Sequence, residues 1–137
     1  MVVYLSGSMV GLPVIKAGSW RREAELFLTS SFVKVYNPMR HVPLITPSDA
    51  IVSPYGVGLG LAYTYNLKMS DVVLCRLNTL SPGTVFELGM AHAWGKPIVA
   101  FDVCQEAVEH PLLALGWDVS FNQLKDALNY IRKLGVK

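Results

Sequence analysis

The chain is poor in charged residues and in cysteine, and each shortage excludes a class of protein. Charged residues make up 16% of its 137 residues, whereas an average soluble chain carries about 25%. Its basic residues are scattered, and they form no stripe with interleaved aromatics of the kind that nucleic-acid binders present. No apolar run approaches the roughly 18 residues of a membrane span. The N-terminus has neither a basic leader nor a cleavage pattern. We therefore expect a cytoplasmic protein with no membrane anchor and no nucleic-acid polymer as partner.

Two cysteines and three histidines leave little material for a metal or redox centre. Cys75 and Cys104 each stand in an apolar run without Cys-x-x-Cys or Cys/His spacing, which is typical of buried free thiols. The histidines show no metal-ligand spacing either. The sequence therefore predicts no metal, no cofactor and no disulfide framework.

What the chain has in excess is apolar residues, which make up 52% of it. Its length suits one domain spanning residues 1–137. Short β-branched runs alternate with segments of helical spacing, which predicts a parallel sheet covered on both faces. We expect an α/β fold, a flavodoxin-like doubly wound five-stranded parallel sheet with helices on both faces. The predicted strands are residues 2–5, 33–36, 72–77, 97–101 and 118–121, and the predicted helices are 20–29, 60–70, 84–94 and 123–134.

Two further segments bear on how the surplus apolar surface is used. Residues 36–55 contain four prolines and no clear period, which predicts a long loop that is either a binding loop or an ordered structural excursion. Residues 56–67 carry no charge, and a helix that is apolar on all sides is a buried one. In so small a domain a second subunit must cover its outer face, so we expect a homodimer or a dimer of dimers. The Gly-x-Gly-x-Gly in this segment lacks the strand context of a dinucleotide fingerprint.

The segment that begins at Ser81 contains the best candidate for chemistry. It follows the third predicted strand and opens a helix, which places Glu87 in the first helical turn at the carboxyl edge of the sheet. There the helix dipole holds a carboxylate ionised, and such a carboxylate can act as a nucleophile. The alternative is a capping box, in which Thr84 caps the helix and Glu87 reaches back to the cap's N–H. The spacing alone favours the cap.

Four motifs taken together resemble the nucleoside 2-deoxyribosyltransferase superfamily, which includes the nucleoside 5'-monophosphate N-glycosidases. The resemblance covers about residues 2–101 in the correct order. It implies a homodimeric enzyme without cofactor that cleaves the N-glycosidic bond of a nucleoside or nucleoside 5'-monophosphate, as a hydrolase or as a transferase. The motifs are Tyr4 to Gly11, Asn37-Pro38, Ser70 to Leu74, and Gly83-Thr84-x-x-Glu87-Leu88-Gly89-x-Ala91-x-Ala93-x-Gly95-Lys96-Pro97.

The resemblance assigns roles to individual residues. It implies that Glu87 is the nucleophile and forms a covalent glycosyl intermediate, and that Tyr4 is a catalytic residue whose hydroxyl lies near it. It places Ser81 at the 5' end of the substrate, where a serine donor suits a phosphate better than the aspartate usual in transferases of free nucleosides. The expected substrate-binding residues are Gly7, Ser8, Met9, Ser81 and Gly83.

One departure from the family pattern leaves the activity open. The aspartate that the family places eight residues before Asp71 is replaced by Tyr63. Tyr63, Tyr65 or Asp102 would then have to supply the proton for the leaving base, or the substrate would need little help. The alternatives are a catalytically silent nucleotide-binding homodimer of the same fold and, more weakly, a purely structural dimer module.

Overall fold

The structure is a computed structural model that describes residues 1–8, 14–40 and 54–135, and for residues 14–17, 40 and 54–60 it describes the backbone alone. Five strands form one parallel sheet. They are β1 (Val2–Ser6), β2 (Lys34–Tyr36), β3 (Val72–Arg76), β4 (Ile98–Phe101) and β5 (Val119–Phe121). The helices are α1 (Val14–Ser30), α2 (Pro54–Met69), α3 (Pro82–Ala93), the short α4 (Gln105–Glu109) and α5 (Leu124–Leu134).

The strand order is β2-β1-β3-β4-β5, which is the flavodoxin-like order. This confirms the predicted fold class. The strands are apolar on both sides and so require a helical layer on each face. The chain moves outward from β1 to β2, then returns to place β3 on the other side of β1. The reversal makes the carboxyl ends of β1 and β3 the point at which such folds bind ligands.

Two layers of buried side chains flank the sheet. One contains Val3 and Leu5 together with residues of α1 and α5, and the other contains Tyr4 together with residues of α2 and α3. Successive side chains of a strand point to opposite faces, so Tyr4 and Ser6 share the face covered by α2 and α3. That face carries the candidate site.

All five predicted strands are present, and the differences lie at helix ends. Helix α1 begins at Val14, six residues before the predicted start, and α2 begins at Pro54. Helix α4 and a 3-10 turn over 113–115 were not predicted, because they are too short to show a period. Within the predicted loop 36–55, residues 38–40 form a 3-10 turn, and residues 41–53 lie outside the described part. In the described ranges no helix is both long and apolar enough to cross a membrane.

Candidate active site

Glu87 lies beside the carboxyl end of β1. Its carboxylate accepts a hydrogen bond from the Tyr4 hydroxyl at Oε2 and one from the Ser6 hydroxyl at Oε1, the second at 3.2 Å. The two donors are two residues apart on one strand, so both project to the face that α3 covers. Each carboxylate oxygen thus has a hydroxyl donor from β1. These bonds link α3 to β1 at the point where the strand order reverses.

Helix α3 is capped by Ser81 and not by Thr84. The Ser81 Oγ accepts from the Thr84 N–H at 3.3 Å and donates to the Thr84 Oγ1 at 2.8 Å. Pro82 stands at the first helical position, where its fixed φ favours helix formation. The predicted capping box at Thr84 and Glu87 is therefore wrong. Glu87 is the sixth helical residue and reaches the sheet instead of its own helix terminus.

Burial, and not the helix dipole, is the main electrostatic influence on Glu87. Desolvation raises the pKa of Glu87, while the hydrogen bonds from Tyr4 and Ser6 and the positive charge of Arg21 oppose that rise. The prediction that Glu87 stands in the first turn is wrong, because α3 starts three residues earlier than a Thr84 cap would require. Hydroxyl donors and a cation, and not the helix terminus, therefore favour the ionised form of Glu87.

Aromatic residues border the carboxylate. The Tyr4 and Tyr36 rings stack with centroids 5.3 Å apart and planes at 20°. Burial and the neighbouring charge of Glu87 raise the pKa of Tyr4, so its phenol stays protonated and keeps its donor. Asn66 on α2 donates a hydrogen bond to Tyr36 and lowers its pKa, but burial is the larger effect and raises it. The Tyr63 hydroxyl donates to the Pro38 carbonyl oxygen at 3.4 Å.

The turn after β1 is held closely against the body of the protein. Ser8 is 8% exposed, and its hydroxyl lies 2.9 Å from the Thr79 Oγ1. A Cβ on Gly7 would stand 3.0 Å from the Trp20 ring and 3.2 Å from the Arg21 Nη2, so only glycine fits without displacement of a neighbour. Met9 lies outside the described residues.

The other residues considered in the sequence analysis lie apart from Glu87 or on the protein surface. Gly83 is exposed in the first turn of α3, and a Cβ at this position would meet no neighbour within 4 Å. Tyr65 is 63% exposed. Asp102 bonds the Arg76 guanidinium at 2.9 Å, away from Glu87. Asp71 accepts from the Val2 N–H at 2.7 Å at the amino end of the sheet, as its position before β3 suggests.

Three polar residues at the site were missed by the sequence analysis, namely Ser6, Thr79 and Arg21. Ser6 could have been found from its spacing, because a residue two positions after Tyr4 must share its face of the sheet. Arg21 stands on the buried stripe of α1 with Ala24 and Leu28, and all three are fully buried. A charge on a core stripe is a usable signal.

A separate cleft of 360 Å³ lies over the other face, between α1 and the start of α5. It is lined by Trp20, Glu23, Arg76, Asp102 and neighbouring residues. It contains none of the residues that contact Glu87, and the Arg76 and Asp102 charges in it neutralise one another. We therefore place the candidate active site at Glu87.

Within the described ranges, no group of three His, Cys, Asp or Glu side chains could hold a metal ion.

The fold is that of a small flavodoxin-like α/β protein, and Glu87 lies at the switch point of its sheet. The chain belongs to the nucleoside 2-deoxyribosyltransferase family, whose sequence profile matches residues 3–128. The resemblance seen in the motifs is confirmed by this match. The family comprises enzymes that modify nucleosides or nucleotides.

Solved structures share the fold at low sequence identity. The 2-deoxyribosyltransferase of Bacillus psychrosaccharolyticus matches with a TM-score of 0.74 and 18% identity, over 95% of this chain and 92% of that one. A conserved protein of Enterococcus faecalis V583 matches with a TM-score of 0.71 and 17% identity, over 98% of both chains. The CMP N-glycosidase BcmB of Clostridium botulinum matches with a TM-score of 0.61 and 20% identity, over 98% of this chain and 99% of that one. The comparison with curated protein sequences yielded no match.

Proposed function

We propose that the protein cleaves the N-glycosidic bond of a nucleoside or nucleoside 5'-monophosphate through a covalent glycosyl-Glu87 intermediate. The observation that carries the proposal is the carboxylate of Glu87 held by Tyr4 and Ser6 at the β1/β3 switch point. A carboxylate that served only as a helix cap would bond its own N-terminus. This one is instead held by two hydroxyl donors of β1, which supports a role as a positioned nucleophile.

The reaction follows the logic of a retaining glycosidase. One oxygen of Glu87 attacks the anomeric carbon as the bond to the base breaks, and the bonding electrons leave with the base, which takes up a proton. Water or a second base then attacks the same carbon, and the ester electrons return to the carboxylate. Tyr4 and Ser6 bind the carboxylate in the free enzyme and keep it ionised for the first step.

Hydroxyl groups at the start of α3 suit the 5' end of the substrate. Ser81 caps this helix and its hydroxyl pairs with that of Thr84, and Ser8 pairs with Thr79 in the loops that follow β1 and β3. Hydroxyl donors and the unpaired N–H groups of a helix N-terminus attract a phosphate, which an aspartate at Ser81 would repel. These groups favour a 5'-monophosphate over a free nucleoside. The similarity to a CMP N-glycosidase is in keeping with that preference.

Tyr63 is the group best placed to supply the proton for the leaving base. It lies near enough to Tyr4 and Arg21 to influence them electrostatically, whereas Tyr65 is 63% exposed and Asp102 is paired with Arg76. Replacement of Tyr63 by phenylalanine should slow the release of poor leaving groups more than that of good ones. Equal slowing of both would assign the proton to solvent.

A homodimer would cover the outer face of α2 and α3. Leu61, Tyr65 and Met69 recur every four residues on α2 and are 68%, 63% and 58% exposed. Phe86 on α3, which packs beside α2, is 66% exposed. A contiguous apolar face of this kind on a soluble chain marks a protein interface. We place the two-fold axis of the dimer there.

A panel of nucleosides and 5'-monophosphates, with and without an acceptor base, tests the proposal. Free base is followed by chromatography for the wild type, for Glu87→Gln and for the control Glu106→Gln, whose side chain is exposed on α4. We expect release by the wild type and the control, and none by Glu87→Gln. Binding of a monophosphate without release would instead identify a silent binding protein, and release by Glu87→Gln would exclude Glu87 as the nucleophile.

A further inference from the structure

Arg21 is a fully buried cation beneath the candidate active site. It is 0% exposed and lies on the core stripe of α1 between apolar neighbours. Removal of a guanidinium from water costs several kcal/mol by the general scale for buried ions. A packing role alone would be filled better by leucine or methionine. The position of the charge therefore requires a partner or a function.

The guanidinium holds the turn that follows β1. Its Nη2 donates to the Gly7 carbonyl oxygen at 2.6 Å, and it lies 4.6 Å from the centre of the Trp20 ring. Gly7 directly follows Ser6, one of the two donors to Glu87. Arg21 is thus linked through one residue of backbone to the hydrogen bonds that orient the carboxylate.

Glu87 is the main negative charge that acts on Arg21. Burial lowers the pKa of Arg21 to about 10, and the charge of Glu87 is the largest opposing influence. Arg21 in turn lowers the pKa of Glu87. The other titratable groups that face this pair are Tyr4, Tyr36, Tyr63 and Cys75. Phenols and thiols carry no positive charge in any protonation state, so among the described groups around Glu87 the counter-charge comes from Arg21.

We propose that Arg21 is a positioning residue that supplies the counter-charge for Glu87 and anchors the Gly7 turn from beneath the site. The inference rests on the proposed function, in which Glu87 must be ionised to act as the nucleophile. It also explains why a charge is tolerated on the core stripe of α1. Arg21 acts through the Gly7 turn, to which its guanidinium is hydrogen-bonded, and through its positive charge.

The pH profile of base release tests the electrostatic part of the proposal. In Arg21→Met the acid limb of kcat/KM should move to higher pH, because the variant lacks a positive charge that lowers the pKa of Glu87. Arg21→Lys keeps the positive charge, so the acid limb of kcat/KM should return to its wild-type position. Its KM should differ from that of the wild type, because lysine lacks the planar guanidinium. Arg22→Met is the matched control, since Arg22 is the next residue and is exposed. An unchanged acid limb in Arg21→Met would reduce Arg21 to a structural residue.

A second measurement does not depend on activity. Carbon-13 NMR of labelled glutamate follows the titration of Glu87 directly, with Glu87→Gln identifying its resonance. The titration midpoint should rise in Arg21→Met and not in Arg22→Met, and no rise would overturn the proposal even if the enzyme is active. If the wild type releases no base, the proposed function fails while this titration still tests the pairing. If Arg21→Met does not fold, the double variant Arg21→Met/Glu87→Gln should recover folded structure by circular dichroism, and failure to recover it would refute the pairing.

Discussion

Replacement of Tyr4 by phenylalanine removes one hydroxyl from the site and leaves the ring in place. The ring is buried and stacks on Tyr36, and phenylalanine retains both interactions. The hydroxyl bonds Glu87 Oε2, so the substitution leaves that oxygen without its donor while the Ser6 bond to Oε1 remains. The fold should therefore be preserved and the carboxylate should become less well oriented.

The expected size of the effect follows from the charge on the acceptor. A hydrogen bond to a charged group contributes about 1.5–3 kcal/mol, which corresponds to a rate factor of about 10 to 150. The same bond lowers the pKa of Glu87. Its loss should therefore reduce kcat/KM by about one to two orders of magnitude at neutral pH and move the acid limb to higher pH.

The assay is base release as a function of pH for the wild type, Tyr4→Phe and Tyr130→Phe. Tyr130 lies on α5, across the sheet from Glu87, so its hydroxyl serves as a matched control. Circular dichroism and thermal unfolding verify the fold of each variant. A loss of less than about threefold in Tyr4→Phe, well below the range for a charged hydrogen bond, would refute the role assigned to this contact.

Three other predictions address the substrate, the dimer and the pH range. Ser81→Asp keeps a good helix cap but adds a negative charge, which repels a phosphate by about 4 kcal/mol at 4 Å. The kcat/KM for a 5'-monophosphate should therefore fall at least about 100-fold relative to that for the matching nucleoside. An equal effect on both substrates would remove Ser81 from the 5' site. Leu61→Glu places a carboxylate on the apolar face of α2 and should convert the dimer into a monomer by light scattering, whereas a wild-type monomer at micromolar concentration would contradict the proposed interface. Burial raises the pKa of Glu87, so on acidification activity should fall at a pH above the ordinary glutamate pKa of about 4.3. If kcat/KM instead begins to fall only at or below that pH, burial does not raise the pKa as the structure indicates.

Apolar periodicity was sufficient to predict the sheet. Each strand contains β-branched residues within a short, largely apolar run, and the runs alternate with helical segments, which is the pattern of a parallel sheet. Helix ends were less accurate. At α3 the prediction placed the start at Thr84, because Thr84 and Glu87 have the spacing of a capping box, while Pro82 in fact begins the helix.

The site was only partly accessible from sequence. The resemblance singled out Tyr4 and Glu87 and implied that the Tyr4 hydroxyl lies near the carboxylate. Residue spacing alone could not have done so, because the bond joins residues 83 positions apart and no local pattern encodes such a contact. Arg21 was missed because the basic residues were considered only for a nucleic-acid-binding stripe. Its burial depends on how α1 packs against the sheet, which composition does not reveal.

Part of the excess of apolar residues in this sequence can be located in the structure. Of the charge-free segment 56–67, the described side chains include Leu61 on the exposed face of α2 and Leu67 in the core. The helix is therefore apolar on both its inner and its outer sides. That arrangement is the physical basis for the proposed dimer.

The most direct test of the central claim is detection of a glycosyl group on Glu87. The enzyme is mixed with a substrate whose base it releases, quenched in acid within the first turnover, digested and examined by peptide mass spectrometry. We expect the mass of one pentosyl or pentosyl phosphate unit on the α3 peptide, assigned to Glu87 by fragmentation, and its absence in Glu87→Gln. Rapid base release without any adduct on this peptide, under conditions in which water attack is slowed, would contradict the covalent mechanism.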